Sequence, residues 1–593
     1  MDEAQPLNPP KGSQSGSSMI ISAVWQVLTA NLLIVLLLLA AIFASVGAQL
    51  YPAFLMRRII DENFAKGLTE GVWRLSWLYL LTVFATNLLQ FTKVAFTTIL
   101  GQKILMDMRA RMAKRLSELS IAYFVRTPTG EIMSRLTTDV DAINNLFSAG
   151  IINVISDLFR VFGLLVSLYA LAPHLIWLEL IAIVMVFICS DFFRKEIFKW
   201  QRVVRLNIAA IYTFIQEWLT GIRTIKTYAI EPQGRSKFQG LLFDHLYSIN
   251  AIARYDSWFP CVMQTLRAVF MATALWLCVP SGSPWSLGLS VGTLAAVSDL
   301  IGRLFAPIEA LAQEFQTIQQ SMAGIARINE FAAEPVEDRV LQDQEIDNSA
   351  GIEIEDLSFA YGERNVLQSV RLSIPKGEKA VIVGRSGAGK TTLMNLIAGL
   401  YHPGQGKISI CGVDPFTLPP EKRRKLIGIV PQMPQIFDGT VAENIRLMDD
   451  NVSRDSVETA AKTVGMHETI MALSEGYETQ IGEGATGLSS GEVQLLSLAR
   501  AIVADPMVLL LDEPTSGMDA KTEQRVFAAI RAIGENRTIF SISHRLSGII
   551  DADTIHLMAE GRVVESGTAD ELIARDGWYA MYQKMERAGW LIE

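Results

Sequence analysis

The sequence predicts a multidomain membrane protein in which a six-helix, all-α transmembrane domain with long cytosolic helix extensions precedes an α/β domain carrying a phosphate-binding loop (P-loop). Its 593 residues are 50% hydrophobic and only 19% charged, and the mean hydropathy is +0.29. This composition excludes a disordered, collagen-like or small disulfide-bonded protein. The net charge of -9 gives no electrostatic reason to expect nucleic acid as a partner.

The N-terminal half contains six apolar segments long enough to cross a bilayer. The first lies within Met19–Met56, which has no charged residue and can hold one span of about 20 residues after a short interfacial segment. Residues 1–18 are expected to form a disordered cytosolic tail, because their polar sequence does not resemble a signal peptide. The five further candidates are Leu75–Leu100, Ile155–Leu171, His174–Ser190, Ser257–Val279 and Leu287–Phe315.

Two long basic segments follow the second and fourth spans, whereas the turns near Pro173 and at Pro280–Leu287 are short and uncharged. The positive-inside rule predicts that both basic segments lie in the cytosol, and both termini with them. The membrane that the chain crosses is expected to be the plasma membrane. Few glycines or prolines interrupt the helical pattern of these segments. We therefore expect the membrane helices to continue beyond the bilayer and to turn near Ile121–Thr129 and Ala209–Glu217.

The composition of the chain changes near residue 340. A transmembrane domain is expected at residues 19–335 and an acidic linker at residues 336–350. From Ile352 onward, short β-branched runs alternate with helical patterns, which is typical of an α/β domain. This second domain is expected to cover residues 351–593.

The segment KAVIVGRSGAGKTTLMNLIAGL is typical of a buried strand, a glycine-rich loop and a helix that binds nucleotide phosphates. Backbone N–H groups of such a loop surround the phosphates, and the start of the helix adds a favourable dipole. Lys390 is expected to contact the β- and γ-phosphates, and the Thr391 hydroxyl to ligate Mg²⁺. The predicted phosphate-binding residues are Gly384, Ser386, Gly387, Ala388, Gly389, Lys390, Thr391 and Thr392.

A second apolar strand, within MVLLLDEPTSGMD, ends in two carboxylates. We expect Asp512 to lie in the Mg²⁺ coordination sphere and Glu513 to polarise the attacking water. The alternative is a solvated pair of acids at a strand end. The P-loop upstream favours a shared nucleotide site.

With these two motifs the chain resembles ATP-binding cassette (ABC) transporters, and the resemblance extends over the whole α/β domain. It implies an ATPase that uses ATP and Mg²⁺. Tyr361 resembles the aromatic residue that stacks on adenine, and Gln432 resembles the glutamine that senses Mg²⁺. The resemblance assigns further roles to Ser489 and Gly491 in LSSGEVQLLSLARA, to Glu483, to Asp519 in SGMD, and to His544, which would hold the γ-phosphate.

The membrane half resembles the exporter-type fold, in the segments Pro128–Ile143 and Glu217–Glu231. One membrane half and one ATPase domain make a half-transporter, so a second half-transporter is an expected partner, along with membrane lipid. The leading hypothesis is ATP-driven export of an amphipathic small molecule or peptide. An importer built on the exporter fold, such as a siderophore transporter, and a catalytically silent regulatory ABC protein are the alternatives.

Two motifs depart from the family pattern. The linking loop is SGMD where SALD is common, a mild change because Ser516 and Asp519 remain. The signature departs further. Where the family usually has LSGGQ, this chain has LSSGE, with Ser490 in place of a glycine and Glu492 in place of glutamine. In the family this signature binds the γ-phosphate of ATP held by the opposite chain, and an added carboxylate there is electrostatically unfavourable. We therefore favour a heterodimer with a different half-transporter, and a homodimer remains the alternative.

Several ionisable residues fall within or beside the candidate spans, where charges are costly and usually pair or face a cavity. Spacing favours internal pairs of Asp157 with Arg160 and of Asp299 with Arg303. Arg267 has no acidic neighbour within four residues and is the better candidate for a cavity. The residues singled out are Lys93, Asp157, Arg160, Arg267, Asp299, Arg303 and Glu309.

Overall fold

The computed structural model describes residues 16–66, 71–278, 289–337, 339–482, 487–515, 518–534, 537–543 and 552–587. The chain divides into two compact units, Met1–Glu337 and Asp338–Glu593. The first unit is built from helices, and the second combines helices with β-sheets.

The helices of the first unit include four that are much longer than a bilayer is thick. With 43 to 48 residues each, these four extend over roughly 65–72 Å at 1.5 Å per residue. Three π-helical segments, Ile59–Asn63, Arg135–Asp139 and Leu146–Ile152, continue or join helices of the unit. The α-helices are α1 (Gly16–Ala30), α2 (Leu32–Arg58), α3 (Val72–Ser117), α4 (Ile121–Arg126), α5 (Thr129–Ser134), α6 (Val140–Asn145), α7 (Asn153–Leu171), α8 (Ile176–Thr220), α9 (Ile222–Tyr228), α10 (Glu231–Cys278) and α11 (Val291–Ala333).

Six helical stretches of the described residues are long and apolar enough to cross a membrane, which confirms the predicted six-helix domain. The short apolar helix α1 precedes the first of them, in agreement with the predicted interfacial segment. Several stretches continue well past a bilayer's thickness, as the uninterrupted helical pattern predicts. The six are Leu32–Lys66, Val72–Ser117, Thr129–Leu171, Pro173–Thr220, Glu231–Leu277 and Val291–Ala333.

The turns at the ends of the long helices agree with the sequence in one case and not in the other. α3 ends at Ser117, and the short helix α4 lies within the predicted turn region. The turn predicted at Ala209–Glu217 is wrong, because α8 runs unbroken to Thr220. This segment has neither glycine nor proline, so nothing stops the helix before Gly221. The helical path is interrupted again at Ala229, which follows α9 and has a left-handed backbone with φ of 50°.

The turn region around α4 is fastened to the end of α11. Arg115 Nη2 donates hydrogen bonds to the carbonyl oxygens of Ala332 and Glu334, at 2.9 and 2.7 Å. These carbonyls lie at a helix C-terminus, where a cation is favourable. Arg126 also binds the Glu334 carboxylate, at 2.9 Å. Arg115 at the end of α3 and Arg126 at the end of α4 therefore hold the last residues of the first unit by hydrogen bonds and an ion pair.

The second unit contains three sheets in its described residues. A three-stranded antiparallel sheet has the order β2-β1-β4, a six-stranded sheet has the order β11-β10-β3-β9-β8-β5, and β6 pairs with β7. In the six-stranded sheet all pairs except β10 with β11 are parallel. The strands are β1 (Ile352–Tyr361), β2 (Arg364–Ile374), β3 (Lys379–Val383), β4 (Gln405–Ile410), β5 (Ile427–Val430), β6 (Gly439–Thr440), β7 (Gln480–Ile481), β8 (Val508–Asp512), β9 (Thr538–Ile542), β10 (Thr554–Ala559) and β11 (Arg562–Gly567).

The core of the second unit is built on the parallel strands. The apolar residues of β3 and β8 are buried without alternation, which is expected of parallel strands covered on both faces. This burial explains why both strands are uninterrupted apolar runs in the sequence. The helices are α12 (Lys390–Ile397), α13 (Pro420–Leu426), α14 (Val441–Arg446), α15 (Arg454–Thr463), α16 (His467–Met471), α17 (Ser490–Ile502), α18 (Ala520–Ile533), α19 (Ala569–Ala574) and α20 (Trp578–Arg587).

Candidate functional site

Three of the predicted site segments leave the six-stranded sheet at one edge. β3 leads into Gly384, β8 ends at Asp512, and Gln432 follows β5. In the sheet only β9 separates β3 from β8, and β8 pairs with β5 so that Leu511 lies opposite Val430. Because these strands are parallel, their carboxyl ends meet at the same edge, which is where ligands bind in such sheets.

The backbone of the P-loop requires glycine at several positions. Gly384, Gly387 and Gly389 have φ of 153°, 78° and 105°. A Cβ atom at Gly384 would lie 2.1 Å from the carbonyl oxygen of Met558, so the loop could not approach β10 as closely with any other residue. The predicted glycine loop therefore has the geometry of a backbone cradle.

Lys390 begins α12 and is only 8% exposed. Its Nζ donates hydrogen bonds to the carbonyl oxygens of Gly384 at 2.7 Å and Arg385 at 2.9 Å. Burial lowers the pKa of Lys390, and the carboxylates of Glu513 and Asp512 oppose this shift. The ammonium group thus lies at the loop, within electrostatic range of both acids.

The polar groups around Lys390 remain open to a ligand. Ser386, Gly387 and Thr391 are exposed, whereas Ala388 packs into the apolar core of the unit and Thr392 is half-buried. Hydroxyl and N–H groups at the start of a helix favour an anion. The arrangement fits the phosphate groups of a nucleotide.

Gln432 and Glu513 are in direct contact. Gln432 Nε2 donates a hydrogen bond to Glu513 Oε2 at 2.7 Å. Glu513 has a φ of 46°, a conformation that is costly for a residue other than glycine and often occurs at functional sites. Burial, and then the negative charge of Glu513, raise the pKa of Asp512, while Lys390 opposes that rise. The two acids of the strand end are therefore part of one electrostatic group with the P-loop lysine.

Tyr361 is the last residue of β1 and belongs to an aromatic cluster. Its ring makes edge contacts with Phe359 and Tyr401, at centroid distances of 4.9 and 5.4 Å. Burial, assisted by Tyr361, raises the pKa of Tyr401 to about 12. The Tyr361 side chain is 40% exposed, so part of its ring is open to a planar ligand.

The signature residues form the start of α17. Ser489 is the N-cap, and Glu492 completes a capping box with it. Glu492 Oε2 accepts hydrogen bonds from the Ser489 backbone N–H at 2.7 Å and from the Ser489 hydroxyl at 2.8 Å. The carboxylate that the sequence marks as unusual is thus bound to its own helix N-terminus.

α17 and α18 approach each other closely at Gly491. A Cβ atom at Gly491 would lie 2.0 Å from Thr522 Cγ2. Thr522 is held in turn by Asp519, which accepts its hydroxyl hydrogen at 2.6 Å and caps α18. Hydrogen bonds from Thr522 lower the pKa of Asp519. Asp519 and Gly491 are therefore linked through a single side chain.

Two predicted site residues, His544 and Glu483, lie outside the described residues. The roles assigned to them stay predictions. Ser543, the residue before His544, is described: its N–H donates to the Ile382 carbonyl oxygen at 3.1 Å at the end of β9.

The charged residues of the membrane helices are partly paired. Asp299 and Arg303 form the predicted ion pair at 2.9 Å, and Arg303 also donates to the Gln49 carbonyl oxygen. Arg267 lies against α11, since a Cβ atom at Gly302 would be 2.5 Å from its Nη2. Lys93 is buried, and its Nζ donates to Ser156 Oγ at 3.0 Å.

Two buried acids in the membrane helices were missed from the sequence. Glu179 on α8 is 1% exposed and Glu314 on α11 is 8% exposed. Within the described residues, both oxygens of Glu179 and Oε2 of Glu314 have no hydrogen-bond partner. Glu179 lies inside the candidate span His174–Ser190, so the sequence alone was enough to identify it as an ionisable residue within the membrane. Glu314 lies at the very end of the candidate span Leu287–Phe315, where the polar run QEFQTIQQ makes it look like a solvated residue.

The fold and the site define a P-loop ATPase joined to a domain of six helices able to cross a membrane. Two family models match the chain: the ABC transporter transmembrane region over residues 34–305 and the ABC transporter model over residues 367–516. The chain belongs to the ABC transporter family. It is an exporter-type ABC transporter, and its ATPase domain makes it an ATP-hydrolysing translocase.

Similar proteins occur in several bacteria. The chain is 31% identical over 538 residues to the uncharacterised ABC transporter ATP-binding protein YknV of Bacillus subtilis, covering 90% of this chain and 87% of that one. It is 30% identical over 564 residues to the ATP-dependent lipid A-core flippase of Desulfotalea psychrophila, covering 94% and 96%. A solved bacterial Atm1-family ABC exporter with ATP bound has the same fold, with a TM-score of 0.73, 24% identity and coverage of 94% and 98%.

Proposed function

We propose that the chain is one half of a dimeric ABC exporter that uses ATP hydrolysis to move an amphipathic small molecule or peptide across the plasma (cell inner) membrane by alternating access. The observation that carries the proposal is the group formed by Lys390, Asp512 and Glu513, in a chain that also has six apolar helices. The names of the relatives, which include lipid A-core flippases and a probable multidrug resistance transporter of Bacillus subtilis, support an amphipathic cargo.

The orientation of the chain follows from its charges. The two segments rich in lysine and arginine include the turn regions around α4 and α9, and the positive-inside rule supports a cytosolic location for both. The ATPase domain and both termini would then be cytosolic. Transport assays in right-side-out and inverted vesicles separate export from import on the same fold.

The nucleotide site is proposed to hold ATP with Mg²⁺, which neutralises charge on the phosphates. The exposed hydroxyls beside Lys390 and its ammonium group at the loop fit the charge of a polyanion. Glu513 would polarise the attacking water and His544 would hold the γ-phosphate. Residues proposed to bind the nucleotide are Tyr361, Gly384, Ser386, Gly387, Ala388, Gly389, Lys390, Thr391 and Thr392, and those proposed for Mg²⁺ are Thr391, Gln432 and Asp512.

The signature supports a heterodimer. The Glu492 carboxylate occupies the backbone and hydroxyl donors of Ser489 that the family's signature offers to the opposite nucleotide. Its negative charge also offsets the helix dipole that would attract a phosphate. We therefore propose that the site facing this signature hydrolyses ATP slowly, and that the partner is a different half-transporter. A homodimer, in which both sites would share this weakness, is the alternative.

Purification of the chain by itself tests the proposed partnership. If the heterodimer proposal is correct, substrate-stimulated ATPase activity and transport appear only after co-expression with a half-transporter that has an intact LSGGQ. The matched variant Ser490→Gly/Glu492→Gln restores that signature in this chain and is expected to raise its ATPase activity alone. A stable homodimer of the unchanged chain with full transport activity would reject the proposal.

A further inference from the structure

Three membrane helices bring a set of polar side chains together, and we call Lys93, Ser156, Asp157 and Glu314 the polar cluster. Lys93 is on α3, Ser156 and Asp157 are on α7, and Glu314 is on α11. Lys93 Nζ donates to Ser156 Oγ at 3.0 Å, and the carboxyl groups of Asp157 and Glu314 are close enough to interact electrostatically. All three helices are among those able to cross a membrane.

The polar cluster contains buried atoms that lack partners. Glu314 is 8% exposed, and its Oε2 is buried without a hydrogen-bond donor among the described residues. Thr97, one turn along α3 from Lys93, is also 8% exposed, and its Oγ1 has no partner there either. Leaving a buried polar group unsatisfied costs about 1–3 kcal/mol and more when the group is charged. A ligand that supplies donors would remove this cost.

The two carboxyl groups lie near two basic side chains, but they form no direct ion pair with them among the described residues. Lys93 faces them from α3 and Arg160 faces Asp157 from α7, but in the described part of the chain no direct ion pair joins either acid to a base. The Lys93 ammonium is directed at Ser156 instead. Arg160 also faces Arg303 of α11, which is ion-paired with Asp299. Because neither carboxyl group is held in a direct ion pair, both can still accept a hydrogen bond from a further positive group.

An apolar surface lies next to the polar cluster. Phe96 and Leu100 on α3 and Ile152, one turn before Ser156, belong to one apolar cluster with residues of α2. An amphipathic molecule could therefore place its charged end at the acids and its apolar part along these side chains. The same combination of a few polar groups in apolar surroundings is usual for small-molecule sites.

We propose that Glu314 and Asp157 bind the ammonium group of a cationic amphipathic substrate. The inference rests on the proposed exporter function and names a substrate class for it. Glu314 Oε2, which has no hydrogen-bond partner among the described residues, accepts a hydrogen bond from the ammonium group, and Asp157 supplies a second acceptor. Lys93 donates its hydrogen bond to Ser156 and forms no direct ion pair with these oxygens among the described residues.

Binding of dansylcadaverine, a fluorescent amphiphile with a primary ammonium group, tests the site in nanodiscs of uncharged lipid without ATP. Its N-acetylated form has the same apolar part and no charge. We expect the unchanged transporter to prefer the ammonium form, and Glu314→Gln to weaken its binding by about tenfold or more, as loss of a charged hydrogen bond implies. Asp157→Asn is a second variant and should weaken binding in the same direction.

Glu309→Gln is the matched control, because Glu309 lies on the same helix and is also partly buried. The affinity of this variant for dansylcadaverine should stay within about twofold of that of the unchanged transporter. Equal binding of the two dansyl compounds, or unchanged binding in both Glu314→Gln and Asp157→Asn, would overturn the proposal. Thermal unfolding of each variant shows whether it is folded. If dansylcadaverine binds as expected but ATP does not drive its movement in vesicles that also contain a partner half-transporter with an intact LSGGQ, the exporter proposal fails and the binding site stands.

Discussion

Gln432 donates a hydrogen bond to Glu513 at 2.7 Å, although 81 residues separate the two along the chain. The contact exists because the strands that precede them, β5 and β8, are parallel neighbours with Val430 opposite Leu511. Both residues therefore leave the sheet at the same edge. A shift of the loop after β5 would move the Glu513 carboxylate directly, which links the position of this loop to the proposed catalytic group.

Glu513→Gln should retain ATP binding and lose most ATP turnover. The amide has the same size, but it cannot act as a base, and general-base catalysis contributes about 100-fold or more. ATPase rates and nucleotide affinity measured on the same preparation check this. Glu353→Gln, at an exposed position of β1, is the control and should behave like the unchanged protein. Unchanged turnover in Glu513→Gln would remove Glu513 from its proposed role.

Gly491→Ala should destabilise the contact between α17 and α18. The added Cβ would lie 2.0 Å from Thr522 Cγ2, and overpacking of this kind costs about 1–3 kcal/mol. Thr522→Ser removes that methyl group but keeps the hydroxyl that donates to Asp519. The double variant Gly491→Ala/Thr522→Ser should therefore recover part of the thermal stability. The steric explanation is wrong if the second substitution gives no recovery.

Asp139→Asn should lower the thermal stability of the membrane domain. Asp139 is 1% exposed and accepts hydrogen bonds from Arg327 Nε at 3.0 Å. Removing its charge leaves the arginine without a counter-ion, at a cost of about 1–3 kcal/mol. Asp141→Asn is the comparison, because Asp141 pairs with Arg109 at an exposed position and should change stability by less than about 0.5 kcal/mol. Equal effects of the two substitutions would contradict this assignment.

His556 should make the ATPase domain less stable in acid. Burial lowers the pKa of His556 from 6.5 to about 4, and its Nε2 has no partner among the described residues. The folded state takes up this proton only at a lower pH than the unfolded state does. The contribution of neutral His556 to the free energy of unfolding is therefore fully present above pH 6.5 and is lost as the pH falls towards 4. At 1.36 kcal/mol per pKa unit, the loss is about 3 kcal/mol.

The measurement for His556 is thermal unfolding of the full chain and of His556→Gln between pH 7 and 4. The unfolding midpoint of the unchanged protein should exceed that of the variant at pH 7, and the difference should shrink steadily as the pH falls. A constant difference across this range would show that His556 takes up no proton on unfolding.

Much of the architecture was predictable from local patterns. The run from Leu32 predicts a membrane helix because a bilayer-spanning segment must be apolar over about 20 residues, whatever surrounds it. The P-loop was predictable for a similar reason, since the close approach of Gly384 to β10 excludes larger residues. Where local signals were weak, prediction failed: the end of α8 is set at Gly221 and not at Ala209–Glu217.

The sequence by itself determined the two-part organisation, the six spans and the residue types of the nucleotide site, because hydrophobicity, helix periodicity and glycine requirements act over short distances along the chain. Only the tertiary structure decided which distant side chains meet. The contact of Gln432 with Glu513 depends on strand order, and the placement of Glu314 beside Asp157 depends on the packing of two helices. Such contacts are set by three-dimensional packing, and they cannot be predicted from the residues next to a side chain in the sequence.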